Sequence, residues 1–81
     1  MAARVILYMT RWCGFCVRTK RYLDAREIPY EAVDVDEHPE FDEQIRRASG
    51  GSRTVPTLEI GGKLLVNPSP AVIEAALAAA D

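Results

Sequence analysis

Five consecutive residues near the start of the chain, Val5-Ile6-Leu7-Tyr8-Met9, are apolar and rich in β-formers, with no polar residue between them. A half-exposed strand would alternate, whereas an unbroken run is the pattern of a strand buried on both faces. Burying both faces takes helices above and below a sheet, so this run commits the chain to an α/β architecture with the strand near the sheet's centre. The chain has 81 residues, enough for one modest core, which predicts a single domain over residues 1–81.

Composition narrows the function classes. Hydrophobic residues make up 48% and charged residues 27%, as in a soluble globular protein and unlike a disordered chain. No apolar stretch approaches the ~20 residues that cross a bilayer, and the start lacks the pattern of a secretory signal. A cytoplasmic protein with no membrane partner is the expectation. A net charge of −2 argues against a nucleic-acid binder, which would carry a basic excess.

The remaining elements follow in order. A helix is predicted from about Gly14 to Glu27, with Cys16, Leu23, Val17 and Ala25 inward, and Ile28-Pro29 ends it because the residue before proline leaves the helical region. Tyr30 to Val35 reads as a second strand, parallel to the first through a right-handed crossover. Pro39 suits a first helical position, and Phe41, Ile45 and Ala48 recur at helical spacing before Gly50-Gly51 stops the helix. In that helix Asp42/Arg46 and Glu43/Arg47 are spaced for i,i+4 pairing. Thr54 to Ile60 and Lys63 to Val66, separated by Gly61-Gly62, predict a hairpin in which Pro56 must take the first position or an edge. Ser69 is a plausible N-cap and Pro70 a first helical residue for a last helix to about Ala79, with Val72, Ile73, Ala76, Leu77 and Ala80 on its apolar face.

The only two cysteines, Cys13 and Cys16, fall at the junction of the first strand and first helix, within Trp12-Cys13-Gly14-Phe15-Cys16. Thiols at this spacing can close a short disulfide across a helix's first turn, which is a redox signal. A bridge between residues so close in sequence would constrain little chain entropy, so a reversible working pair is the better reading. Unpaired amides at the helix start favour a thiolate on Cys13, as would Arg11 and the nearby Arg18 and Lys20. Cys13 is the expected nucleophile. Cys16, one turn deeper, is expected to remain a thiol until it resolves a mixed disulfide on Cys13. A zinc site would need two more ligands, and His38 is the only histidine, so no metal site is expected within one chain.

The order βαβαββα, the Cys-x-x-Cys at the first helix and Thr54-Val55-Pro56 opening the third strand resemble the glutaredoxins, small oxidoreductases of the thioredoxin fold with a four-stranded mixed sheet and three helices. Within that family Trp12-Cys13-Gly14-Phe15-Cys16, Gly50 to Thr57 and Val66-Asn67-Pro68-Ser69 look most like the mycoredoxin branch, which reduces mixed disulfides formed with mycothiol. The resemblance implies that Pro56 is cis and that Val55 offers its backbone to the substrate beside Cys13. It also implies that no cofactor is bound, that a low-molecular-weight thiol (mycothiol, bacillithiol or glutathione) is cosubstrate, and that S-thiolated proteins and small disulfides are substrates of a monomer. Glutathione-using members carry Gly-Gly-x-Asp before the last helix to hold the γ-glutamyl end, where this chain has Leu65-Val66-Asn67-Pro68-Ser69. That departure points away from glutathione.

Two rival roles stand beside this one. A glutaredoxin-like electron donor to ribonucleotide reductase would be recharged by a thioredoxin-reductase-like flavoenzyme. A dimeric iron–sulfur scaffold is suggested by likeness to Cys-Gly-Phe-Ser glutaredoxins, although Cys16 stands where those have serine. Among the flanking residues, Phe15 either faces substrate or packs, Trp12 leans toward packing and shielding, and Arg53 either meets a substrate carboxylate or is solvated.

Overall fold

The computed structural model describes residues 4–80. The elements are β1 (Val5–Met9), α1 (Gly14–Ala25), β2 (Glu31–Asp34), a 3-10 turn (Pro39–Phe41), α2 (Asp42–Ala48), β3 (Thr57–Ile60), β4 (Lys63–Val66) and α3 (Pro70–Ala80). They form one sheet in the order β2-β1-β3-β4. β1 pairs parallel with β2, and β3 runs antiparallel to both β1 and β4. This is the βαβαββα arrangement that the sequence predicts.

β1 is central because it is apolar on both faces. Val5 and Leu7 enter one core with Leu23, Leu58, Ile60 and Ile73, which places α1 and α3 on that side. Ile6 and Tyr8 enter the other with Val35 and Ile45, under α2. Each such aliphatic or aromatic side chain contributes about 1.5–3 kcal/mol on full burial. The two half-cores therefore hold the carboxyl end of β1 firmly in place.

The boundaries differ from expectation where backbone chemistry overrides pattern. β3 starts at Thr57 and not Thr54, since Pro56 has no N–H to give a ladder. β2 loses Tyr30 and Val35, although the Val35 amide still bonds the Met9 carbonyl at 3.0 Å. The second helix opens as a 3-10 turn after His38, with the Phe41 amide on the His38 carbonyl. On α1, Val17 and Ala25 lie outside and Thr19 takes the inward place, its hydroxyl satisfied by the Phe15 carbonyl at 3.0 Å. Cys16, Thr19 and Leu23 then form the buried stripe. Ala48, Val72 and Ala80 are likewise exposed, because short helices at the sheet's flank need only a narrow apolar seam. Glu43 and Arg47 pair at 2.6 Å, but Arg46 instead donates to the Gly51 carbonyl at 3.2 Å, leaving Asp42 to Arg53.

The turns follow their residues. Gly61 and Gly62 take φ of +58° and +85° between β3 and β4, the two-residue hairpin geometry that glycine permits. The Ser69 hydroxyl accepts the Val72 amide at 3.3 Å, capping α3.

Candidate active site

β1 ends at Met9, the chain turns through Thr10 to Trp12, and Cys13 becomes the N-cap of α1 with extended backbone angles (φ −92°, ψ 111°). Its sulfur accepts the Cys16 amide at 3.1 Å, filling the role that a Ser or Asp oxygen usually fills. One orphan donor of the helix start is thus aimed at this sulfur. Cys13 is half-buried, and both cysteines are unbridged.

Cys16 differs in environment though it lies one turn away. It is 1% exposed, and its thiol is pushed up to about 12 by burial and by the neighbouring Cys13 sulfur, with Thr10 backbone hydrogen bonding offsetting part of this. Burial penalises the charged form, so at neutral pH Cys16 is held as a thiol. The pair is asymmetric: one sulfur is reachable and capped by an amide, and the other is dry and protonated.

The cis-proline segment closes the site from the facing side. The Val55-Pro56 peptide is cis, as the resemblance implies, and the Cys13 thiol donates to the Val55 carbonyl at 3.7 Å. The segment is tied down by the Thr57 hydroxyl on the Thr54 carbonyl (2.8 Å) and by the Asn67 amide on the Pro56 carbonyl (2.8 Å). Val55 therefore meets Cys13 directly, and Thr54, Pro56 and Asn67 are joined to the segment behind it. Ser69 is occupied in capping α3.

The flanking residues differ in exposure and pairing. Trp12 is 91% exposed, so it neither packs nor shields in this state. Phe15, also exposed, carries the Arg18 guanidinium over its ring at 5.4 Å. Arg11 does not stand as a free cation for the thiolate: it pairs with Glu37 at 2.8 Å and Asp34 at 3.6 Å. Arg53 likewise pairs with Asp36 at 2.7 Å and lies 3.7 Å from Asp42, and the Asp36 hydrogen bond raises its already basic guanidinium further. The sequence reading gave these four carboxylates no role at the site, although Asp34 closes the strand that pairs with β1 and Asp36 and Glu37 follow it directly. An apolar groove of about 440 Å³ between α3 and the hairpin, lined by Ile60, Leu65, Val72 and Ala76 among others, involves none of the expected site residues.

Comparison with known proteins agrees with this geometry. The glutaredoxin family profile matches residues 5–65. A Mycobacterium tuberculosis protein whose name places it among the glutaredoxins is 38% identical over 78 residues, covering 95% of this chain and 93% of that one. Mycoredoxin 1 of Corynebacterium glutamicum is 33% identical over 78 residues, covering 95% and 96%. The crystal structure of a glutaredoxin from Archaeoglobus fulgidus superposes with a TM-score of 0.75 at 24% identity, over 90% of this chain and 84% of that chain, a likeness of fold. Among the described residues no helix is long and apolar enough to cross a membrane. With the cysteine pair at the start of α1, the cis-proline segment against it and the profile spanning most of the sequence, the chain belongs to the glutaredoxin family of thiol-disulfide oxidoreductases.

Proposed function

We infer that the protein reduces mixed disulfides between proteins and a low-molecular-weight thiol of the mycothiol type, with Cys13 as nucleophile and Cys16 as resolving thiol. The observation that carries this is the unequal pair: Cys13 partly open at an N-cap, with the Cys16 amide 3.1 Å from its sulfur, and Cys16 buried. The Cys13 thiolate attacks the small thiol's sulfur, the S–S bond breaks, and the protein's sulfur leaves as a thiolate that takes up a proton. The adduct on Cys13 then has two exits. A second small thiol, as thiolate, can attack it and release the small symmetrical disulfide, or Cys16, on losing its proton, can close the Cys13–Cys16 bridge and release the small thiol. The second exit leaves the protein oxidised, and two electrons from a dithiol or flavoenzyme reductant restore it.

Substrate groups fall into place around the sulfur. Val55 and Pro56 border the space beside Cys13, so the substrate backbone lies along residues 54–56, with Trp12 and Phe15 as exposed apolar flanks. Asn67, held to Pro56, lies at the far end of that path, and Ser69 supports it by fixing the start of α3. The mycothiol assignment is supported by the 33% identity to Mycoredoxin 1 and by the absence of Gly-Gly-x-Asp before α3.

The test is single-turnover reduction of one peptide carrying mycothiol, bacillithiol or glutathione as its mixed disulfide. The mycothiol form is expected to react fastest. Equal rates for all three would refute the thiol assignment. Turnover only with a thioredoxin-reductase-like flavoenzyme and no small thiol would favour the ribonucleotide reductase donor role. A brown dimer after anaerobic reconstitution with iron and sulfide would favour the cluster scaffold.

A further inference from the structure

Two arginines, one beside the cysteine pair and one beside the cis-proline segment, are each engaged by carboxylates. Arg11 stands two residues before Cys13, and Arg53 two before Val55, which touches Cys13; two residues of chain reach at most about 7 Å. Arg11 meets Glu37 and Asp34, and Arg53 meets Asp36 and Asp42. Two positive charges thus face four negative ones. The excess of two negative charges belongs to the surroundings of the backbone that borders the site, and exposed charges act on one another over about one Debye length (~10 Å at 0.1 M salt).

The arrangement is built and not incidental. Asp42 Oδ1 is buried with no hydrogen-bond partner, which costs free energy unless a nearby charge offsets it, and the Arg53 guanidinium at 3.7 Å is that charge. Asp34 uses its other oxygen to accept the Asp36 amide at 2.9 Å, fixing the turn that presents Asp36 to Arg53. A polar pocket of about 270 Å³ lined by Arg11, Trp12, Asp34, Asp36 and Glu37 opens next to Cys13 in the chain. On α1, Arg18, Lys20 and Arg21 have no ion pair among the described residues. Arg18 is stacked on Phe15, and Lys20 and Arg21 lie about two turns beyond Cys13, roughly 10 Å along the axis.

Deepening the disulfide-reductase reading, and resting on it, we propose that Glu37 and Asp36 are specificity-determining residues that make the site discriminate by charge. By occupying Arg11 and Arg53, they deny an anionic thiol salt bridges to those two guanidiniums and repel it from that side, so the site selects an uncharged low-molecular-weight thiol over carboxylate-bearing ones. Removing one of the two carboxylates leaves its guanidinium only the more distant partner, Asp34 for Arg11 or Asp42 for Arg53, and lowers the negative field. Two unit charges ~10 Å apart at an effective dielectric of 20 to 80 interact by an amount equal to about 2- to 16-fold in rate.

The experiment uses three mixed disulfides of one peptide with thiols of nearly equal size: 3-mercaptopropionate (anionic), 2-mercaptoethanol (neutral) and cysteamine (cationic). Rates for wild type, Glu37→Gln and Asp36→Asn are compared as ratios to the neutral probe, so the intrinsic reactivity of each thiol cancels between proteins. Wild type is expected to lose its bias against the anionic probe as salt rises. Each variant is expected to raise the anionic-to-neutral ratio by about 3- to 10-fold at low salt, to lower the cationic-to-neutral ratio, and to leave the neutral rate within about 2-fold. Ratios that do not move in either variant, or move equally for both charged probes, would overturn the proposal while leaving the reductase reading intact. Failure of wild type to reduce any of the three would overturn the reductase reading itself, and this selectivity with it.

Discussion

The amide of Cys16 lies 3.1 Å from the sulfur of Cys13, so the backbone of the buried cysteine caps the side chain of the half-buried one. The three-residue spacing that lets the two thiols form a bridge also puts a helix-start donor on the first sulfur and carries the second into the core. Reactivity is divided between them by position alone, since both side chains are the same.

Alkylation should separate the two thiols by pH. Cys16, pushed up to about 12, is neutral and buried near pH 8, so iodoacetamide is expected to label one site quickly and the other only in strong alkali or denaturant. The linked stability has a definite sign. A pKa raised on folding, here from 9.0 to about 12, means the folded state holds its proton more tightly, so the stabilisation is fully present below pH ~9 and is lost as pH rises toward ~12. Reduced wild type should therefore lose stability across that alkaline window, and Cys16→Ser should lose less. Denaturation midpoints at pH 8, 10 and 11 provide the check.

Removing the Ser69 cap tests what holds α3 against the cis-proline segment. Ser69→Ala is expected to cost about 1 kcal/mol, which for a chain of this size lowers Tm by about 4–8 °C. Differential scanning calorimetry reads it directly. An unchanged Tm would mean the hydroxyl contact to the Val72 amide adds nothing.

Trp12 should matter to substrates and not to the fold. With 91% of its surface open, Trp12→Ala is expected to shift stability by no more than about 0.5 kcal/mol while lowering kcat/KM for an S-thiolated protein several-fold. A large fall in Tm would place the ring against the protein in solution and contradict the exposed position.

The core that holds β1 should be intolerant. Leu58, fully buried opposite Leu7, is expected to cost about 2–5 kcal/mol on replacement by Ala. Urea midpoints of Leu58→Ala and of the exposed control Val72→Ala, expected to cost far less, measure the difference.

Much of this was legible in the sequence for particular reasons. The unbroken run Val5–Met9 located the central strand, since only two-sided burial explains five apolar residues without alternation. Gly61-Gly62 and Ser69-Pro70 marked the hairpin and the last helix through local backbone preferences. Tertiary pairing was not legible. Arg11 and Arg53 read as free cations because their partners are distant in sequence: the parallel β1–β2 register brings Asp34 and Glu37 to Arg11, and the packing of the loop before β3 brings Arg53 to Asp36 and Asp42. Trp12 read as packing because a large aromatic usually buries, and nothing local told that its loop points outward. Val17 and Thr19 exchanged places for a similar reason. The helix phase is set by docking onto β1, and a threonine can be buried once its hydroxyl finds the Phe15 carbonyl.

The central claim is that Cys13 alone makes the first attack. Its most direct test is a single turnover of Cys16→Ser with a mixed-disulfide peptide, with mass spectrometric mapping of the trapped adduct and Cys13→Ser run in parallel. A small-thiol adduct on Cys13 is expected in the first variant and no reduction by the second. Peptide reduction by Cys13→Ser at a rate near that of wild type would contradict it.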